Sequence, residues 1–222
     1  MAELARSILY VHIFFGVLAL FVSPAAMITH KGGLWHRRWG KVYFWAMAVV
    51  ATSAMLLSVL RPQLFLPMVA VFSFYLAFTG YRVLYRKTPR NPASTLDWVG
   101  AGLMLLGGAG LICYGANLVR TSSFGTVAIT FGGVGLLLAI SDVRAFRDPS
   151  PDKRAWWFTH MRRMLAAYIA TVTAFSAVNF QFLPPVVRWL WPSVVGTLGI
   201  FAWARHYRKK FYGTKTPGEA VT

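Results

Sequence analysis

The chain has 222 residues, 57% hydrophobic and only 13% charged, against about 25% charged and 45–50% apolar in an ordinary soluble domain. Its formal net charge is +17, from 23 Lys and Arg against 6 Asp and Glu. That excess would suggest nucleic acid in a soluble protein. Here the charges fall between apolar runs of about 20 residues, each long enough to cross the hydrocarbon core as a helix, so membrane topology accounts for them and nucleic acid is not an expected partner.

In chain order, the runs predict spans at residues 7–29, 39–60, 64–84, 96–118, 124–143, 157–182 and 187–204. Only helices satisfy their own backbone hydrogen bonds in lipid within one segment, so the expectation is an all-α, integral membrane bundle of seven transmembrane helices over residues 1–205. A basic tail, residues 206–222, follows. The N-terminus passes into the first span without a cleavage-site pattern and reads as a span rather than a signal peptide. Turn-forming residues mark the breaks: Lys31-Gly32-Gly33, Arg61-Pro62, the Pro/Asn-rich 89–92, Asp148-Pro149 and Pro184-Pro185. The single cysteine, Cys113, lies inside the fourth run, which excludes an internal disulfide or a cysteine metal cluster.

Nineteen of the 23 Lys and Arg fall in loops one, three and five and in the tail, and four fall on the other side. Basic residues stay cytoplasmic, so the predicted orientation is N-out/C-in. Trp35, Trp39, Trp98, Trp156, Trp157 and Trp203 then form a cytoplasmic interfacial belt, with Trp189 and Trp191 at the outer face. Small residues recur at helical spacing as Gly16–Ala19–Ser23, Ala77–Gly80, Ala101–Gly108–Gly115 and Ala128–Gly132–Gly135, a pattern that lets helices approach closely in lipid.

Ionisable groups within spans are costly and mark candidate sites. His36 and His160 open the second and sixth helices at similar depth. On a helix turning about 100° per residue, His36 shares a face with Gly40, Tyr43 and Met47, and His160 shares one with Arg163, Ala167 and Thr171. Both faces are small or polar and are expected to face the bundle. Asp142 closes the fifth span, where the helix dipole disfavours an acid, so a cation is expected beside it: Arg163 or His160, or Arg144 locally. The expected site therefore joins the cytoplasmic ends of helices 2, 5 and 6 and contains His36, Arg37, Tyr43, Asp142, His160 and Arg163. Asp97 follows Ser94 at capping-box spacing and reads first as a helix cap. His12 lies on the outer side, too far away to join the pair. The glycines before the second helix, flanked by Lys31 and Arg37, suit an anion, with anionic phospholipid head groups as the default occupant alongside the bilayer itself.

Two stretches carry a resemblance. One is His12-x3-Gly16, Pro24, then Lys31-Gly32-Gly33-x2-His36-Arg37-x2-Gly40-x2-Tyr43. The other is His160-x2-Arg163-Met164-x2-Ala167-Tyr168-Ile169-Ala170-x2-Thr173-Ala174-Phe175-x3-Asn179. Together they resemble a bacterial family of multi-pass membrane proteins catalogued as a domain of unknown function. The resemblance implies a bacterial cytoplasmic (inner) membrane protein. It adds Asn179 to the candidates and implies no activity. Three functions fit the residues: binding or transport of a small ligand in a polar cavity; b-type haem held by His36 and His160, as in membrane cytochromes; and a metal-dependent hydrolase with His36, His160 and Asp142 as ligands.

Overall fold

The computed structural model describes residues 2–88 and 90–213. Pro89 and residues 214–222, the far part of the expected tail, lie outside the described residues. Seven helices follow one another: α1 (Ala2–Ile28), α2 (Leu34–Leu60), α3 (Phe65–Arg82), α4 (Thr95–Leu118), α5 (Phe124–Arg147), α6 (Ala155–Asn179) and α7 (Pro185–Tyr212). A 3-10 turn, Val83–Tyr85, extends α3, and no strand occurs among the described residues. The fold is the expected all-α bundle.

Six of the helices, all but α6, are long and apolar enough to cross a membrane. α6 is as long, at 25 residues, but it carries His160, Arg162 and Arg163. Its lower apolarity comes in good part from polar groups turned inward: Arg163, Thr171, Thr173 and Ser176 are all buried. Many large apolar side chains face outward, as with Phe21, Val59 and Leu106, while the buried faces combine small residues such as Ala19, Ala77, Ala128 and Ala167 with a few large ones, Leu76, Met104 and Leu111 among them. The apolar exterior is what a soluble domain lacks, and it fits lipid, which is as good a solvent for leucine as the protein interior is.

Several helices run further than their apolar stretches predict: α1 starts early, at Ala2, and three others extend on the basic side. α2 begins at Leu34, which puts His36 in its first turn, and α5 continues to Arg147. α7 takes in residues 206–212 of the expected tail. Apolarity marks only what lies in lipid, whereas helices persist beyond it. Arg144 and Arg147 at the end of α5, and Lys209 and Lys210 at the end of α7, suit the negative end of the helix dipole. Asp97 caps α4 as expected: its Oδ2 accepts from Ser94 N at 2.8 Å in a capping box, and Arg82 donates to both carboxylate oxygens.

α3 is the hub. It packs against α2, α4 and α6, while α1–α2, α4–α5 and α6–α7 pair as neighbours. The expected grouping of helices 2, 5 and 6 is therefore incorrect, since α3 stands between α2 and α5. Small residues on α3, Ala77 and Gly80 among them, let it take this central place. No Cα of α2 comes within 8 Å of α6. These two helices stand apart, and side chains alone bridge the space between them.

Candidate functional site

That space is a cavity of about 550 Å³ at the basic end of the bundle, walled by α1, α2, the end of α3, α6 and α7. His36 enters it from α2 and His160 from α6, their ring centroids 6.2 Å apart and their planes at 78°. Each imidazole is fixed by a neighbouring helix. His36 Nδ1 lies 2.9 Å from the carbonyl oxygen of Ala26, in the last turn of α1. His160 Nδ1 lies 2.7 Å from that of Gly80, in the last turn of α3. The last carbonyls of a helix run out of intrahelical donors, and the dipole there favours a donor. A carbonyl can only accept, so in both residues Nδ1–H donates, and Nε2 is the nitrogen that carries the lone pair in the neutral form of the ring.

Gly80 serves this contact in a second way. A Cβ there would sit 2.9 Å from Met164 Sδ and 3.0 Å from Arg163 Cβ, so the glycine is what lets α6 come close enough for His160 to reach the carbonyl. The floor of the cavity is Tyr43, buried, with its hydroxyl 3.1 Å from Thr171 Oγ1. Gly40, one turn on from His36, faces open space: a Cβ there would meet nothing within 4 Å.

The rim is basic. Lys31, Arg37, Lys41 and Lys87 line the cavity, and none of its lining residues is Asp or Glu. Arg37 Nε donates to the Gly32 carbonyl at 2.8 Å, and Gly32 takes a φ of +77° that favours glycine. Lys31 donates to the Met27 carbonyl and lies 5.1 Å over the Trp203 ring. Burial draws its ammonium below the ordinary lysine range.

Of the residues expected to form one site, His36, Arg37, Tyr43 and His160 line the cavity. Asp142 and Arg163 do not. Arg163 Nη2 meets Asp142 Oδ1 at 2.8 Å, and Tyr75 donates to Asp142 Oδ2 at 2.5 Å. Arg163 also donates to the Leu138 carbonyl at 3.1 Å. This is one of the pairings the dipole argument allows, and it lies on the α3–α5–α6 side, one turn along α6 from His160 and outside the cavity lining. The three-ligand set of His36, His160 and Asp142 is thus not assembled, and no cluster of three or more His, Cys, Asp or Glu occurs among the described residues. Asp97 is occupied by its cap and by Arg82. His12 bonds Val50 O and Ser53 Oγ on α2, and Asn179 bonds Phe175 O at the far end of α6; neither lines the cavity.

The sequence reading overlooked the aromatic wall. Trp156, Trp157 and Trp203, expected in an interfacial belt, line the cavity together with Tyr81, Tyr85 and Tyr207. A signal was present: Trp156 and Trp157 lie four and three residues before His160, on its own helical face. Trp203 and Tyr207 share the same spacing on α7. Comparison of the chain with protein-family models, curated proteins and solved structures gives no match.

Proposed function

We propose that this multi-pass membrane protein binds a flat, largely apolar ligand bearing acidic groups, in the cavity between α2 and α6. The composition of the cavity carries the reading: four cations, two imidazoles and a majority of aromatic and apolar side chains, with no acid among them. An apolar pocket with a few convergent polar groups is the usual form of a small-molecule site, and its volume falls within the usual range of roughly 300–1,000 Å³. With the basic side cytoplasmic, the chain runs N-out/C-in in a bacterial cytoplasmic membrane, and the mouth of the cavity faces the cytoplasm. The resemblance to the bacterial family of unknown function belongs to the same proposal: of its signature residues, His36, Arg37, Gly40, Tyr43 and His160 line the cavity, while His12, Arg163 and Asn179 lie elsewhere.

The hydrolase alternative loses its carboxylate, because Asp142 is held by Arg163 and Tyr75. Native mass spectrometry of detergent-purified protein tests the binding reading. A small-molecule adduct is expected on the wild-type chain and lost in Gly40→Phe, which fills the cavity where Gly40 leaves it open. If the only adduct is an anionic phospholipid, the rim is a head-group site and the proposal falls. It falls equally if Gly40→Phe keeps the adduct.

A further inference from the structure

We infer that the ligand is an iron porphyrin of the b-haem class, coordinated by Nε2 of His36 and Nε2 of His160. The inference rests on the ligand-binding reading above and names its ligand.

Three independent features converge. The first is the chemistry of the donors. With Nδ1–H of each ring held by a main-chain carbonyl, Nε2 is the atom left to coordinate, and a hydrogen-bonded Nδ1–H is the usual support of a metal-bound imidazole. The second is spacing. Metal–imidazole bonds of about 2.0–2.1 Å on either side of one metal, with the depth of each ring added, separate the centroids by roughly 6.3 Å. The two rings stand 6.2 Å apart. The third is the room and charge around them. α2 and α6 are separated along their whole lengths by more than 8 Å between Cα atoms, Gly40 leaves its side of the cavity open, and aromatic side chains form the walls. Lys31, Arg37, Lys41 and Lys87 match the two carboxylates of haem.

A bare metal ion fits less well. Two imidazoles give two donors where zinc takes four ligands, no larger donor cluster occurs among the described residues, and a 550 Å³ cavity far exceeds an ion. Facing helices of a bundle are a common setting for such a cofactor. With an imidazole on each face the iron is six-coordinate, so the site has no open position for a gas or a substrate.

The test uses the full chain purified in detergent and titrated with haemin and with iron-free protoporphyrin IX. Haemin should give a low-spin bis-imidazole spectrum, and carbon monoxide should leave the dithionite-reduced spectrum unchanged. His36→Ala and His160→Ala should each abolish the low-spin spectrum and weaken haemin binding by at least about 100-fold, more than loss of a supporting hydrogen bond. Added imidazole should restore the low-spin spectrum in both variants, which also shows that they fold. Three results overturn the inference: a high-spin, carbon monoxide-binding wild type; His variants that bind haemin unchanged; or wild-type protein that takes up no haemin. In the last case, a native adduct of another mass leaves the binding proposal standing, whereas no adduct at all removes both.

Discussion

Asp142 and Arg163 have side chains more than nine-tenths buried, and Tyr75 closes the second carboxylate oxygen. Arg163 Nη1 is buried with no protein partner, so the cation depends on Asp142 for its compensation. Removing one member of such a pair leaves an uncompensated buried charge, at a cost of about 3–5 kcal/mol. Asp142→Asn should therefore lower the melting temperature in detergent markedly, and the double change Asp142→Asn/Arg163→Met should recover much of the loss. The same variant should leave the cavity unaltered, because His160 is held by Gly80 and not by Asp142. A changed haemin spectrum in Asp142→Asn with unchanged stability would contradict both halves of this account. The cation beside Asp142 was legible in the sequence, since an acid at a helix C-terminus demands one. Tyr75 was not, because its register against α5 depends on where α3 sits. The same holds for the carbonyls of Ala26 and Gly80. Backbone acceptors carry no residue signature, so a histidine's hydrogen-bond partner appears only once the neighbouring helix is placed.

At the scale of helices, the small-residue stripes on α4 and α5 prove to be one interface. A Cβ on Gly132 would sit 2.6 Å from the Gly108 carbonyl, and one on Gly115 would sit 2.6 Å from the Gly125 carbonyl. These obstacles are backbone and cannot rotate aside. Gly132→Val should destabilise the protein by at least the 1–3 kcal/mol typical of overpacking, roughly stated. Gly133→Ala, where a Cβ meets nothing within 4 Å, should leave the melting temperature nearly unchanged. Equal effects of the two changes, measured by thermal unfolding in detergent, would show that the stripe is not a contact. The sequence revealed each stripe but not its partner, since periodicity describes one helix at a time. It also placed α5 beside α2, an error that arose from treating every polar group at one depth as a single cluster. α6 shows the converse. Its inward polar groups lower its apolarity, yet those same groups made its inner face readable.

Across the whole molecule, the proposed seven crossings, α6 included, would put the two chain ends on opposite sides of the membrane. A reporter fused after residue 222 should be active only in the cytoplasm. In a Cys113→Ser background, Gln63→Cys, exposed between α2 and α3, should react with an impermeant maleimide from outside intact spheroplasts. Labelling only after lysis would reverse the orientation and turn the cavity mouth away from the cytoplasm. The succession of helices was the most legible feature of all, because lipid forces length and apolarity into a pattern that needs no tertiary detail. The cavity was the least legible, since it lies between α2 and α6, which meet through side chains such as Tyr43 and Thr171 with no Cα atoms within 8 Å.

Tyr43 and Thr171, which meet beneath the cavity, lie 128 positions apart in the chain. At a synthesis rate of about 5–20 residues per second, α6 follows α2 out of the ribosome by roughly 6–25 s. During that interval His36, which bonds the Ala26 carbonyl of α1, would stand as half of the proposed site. The ligand inferred above would be held between the two imidazoles only after α6 is made, and a nascent chain stalled before residue 155 should carry none held in that way. On the proposed function, loading would be a post-insertion maturation step, completed only when α6 and then α7, which brings Trp203 and Tyr207, join the first hairpin.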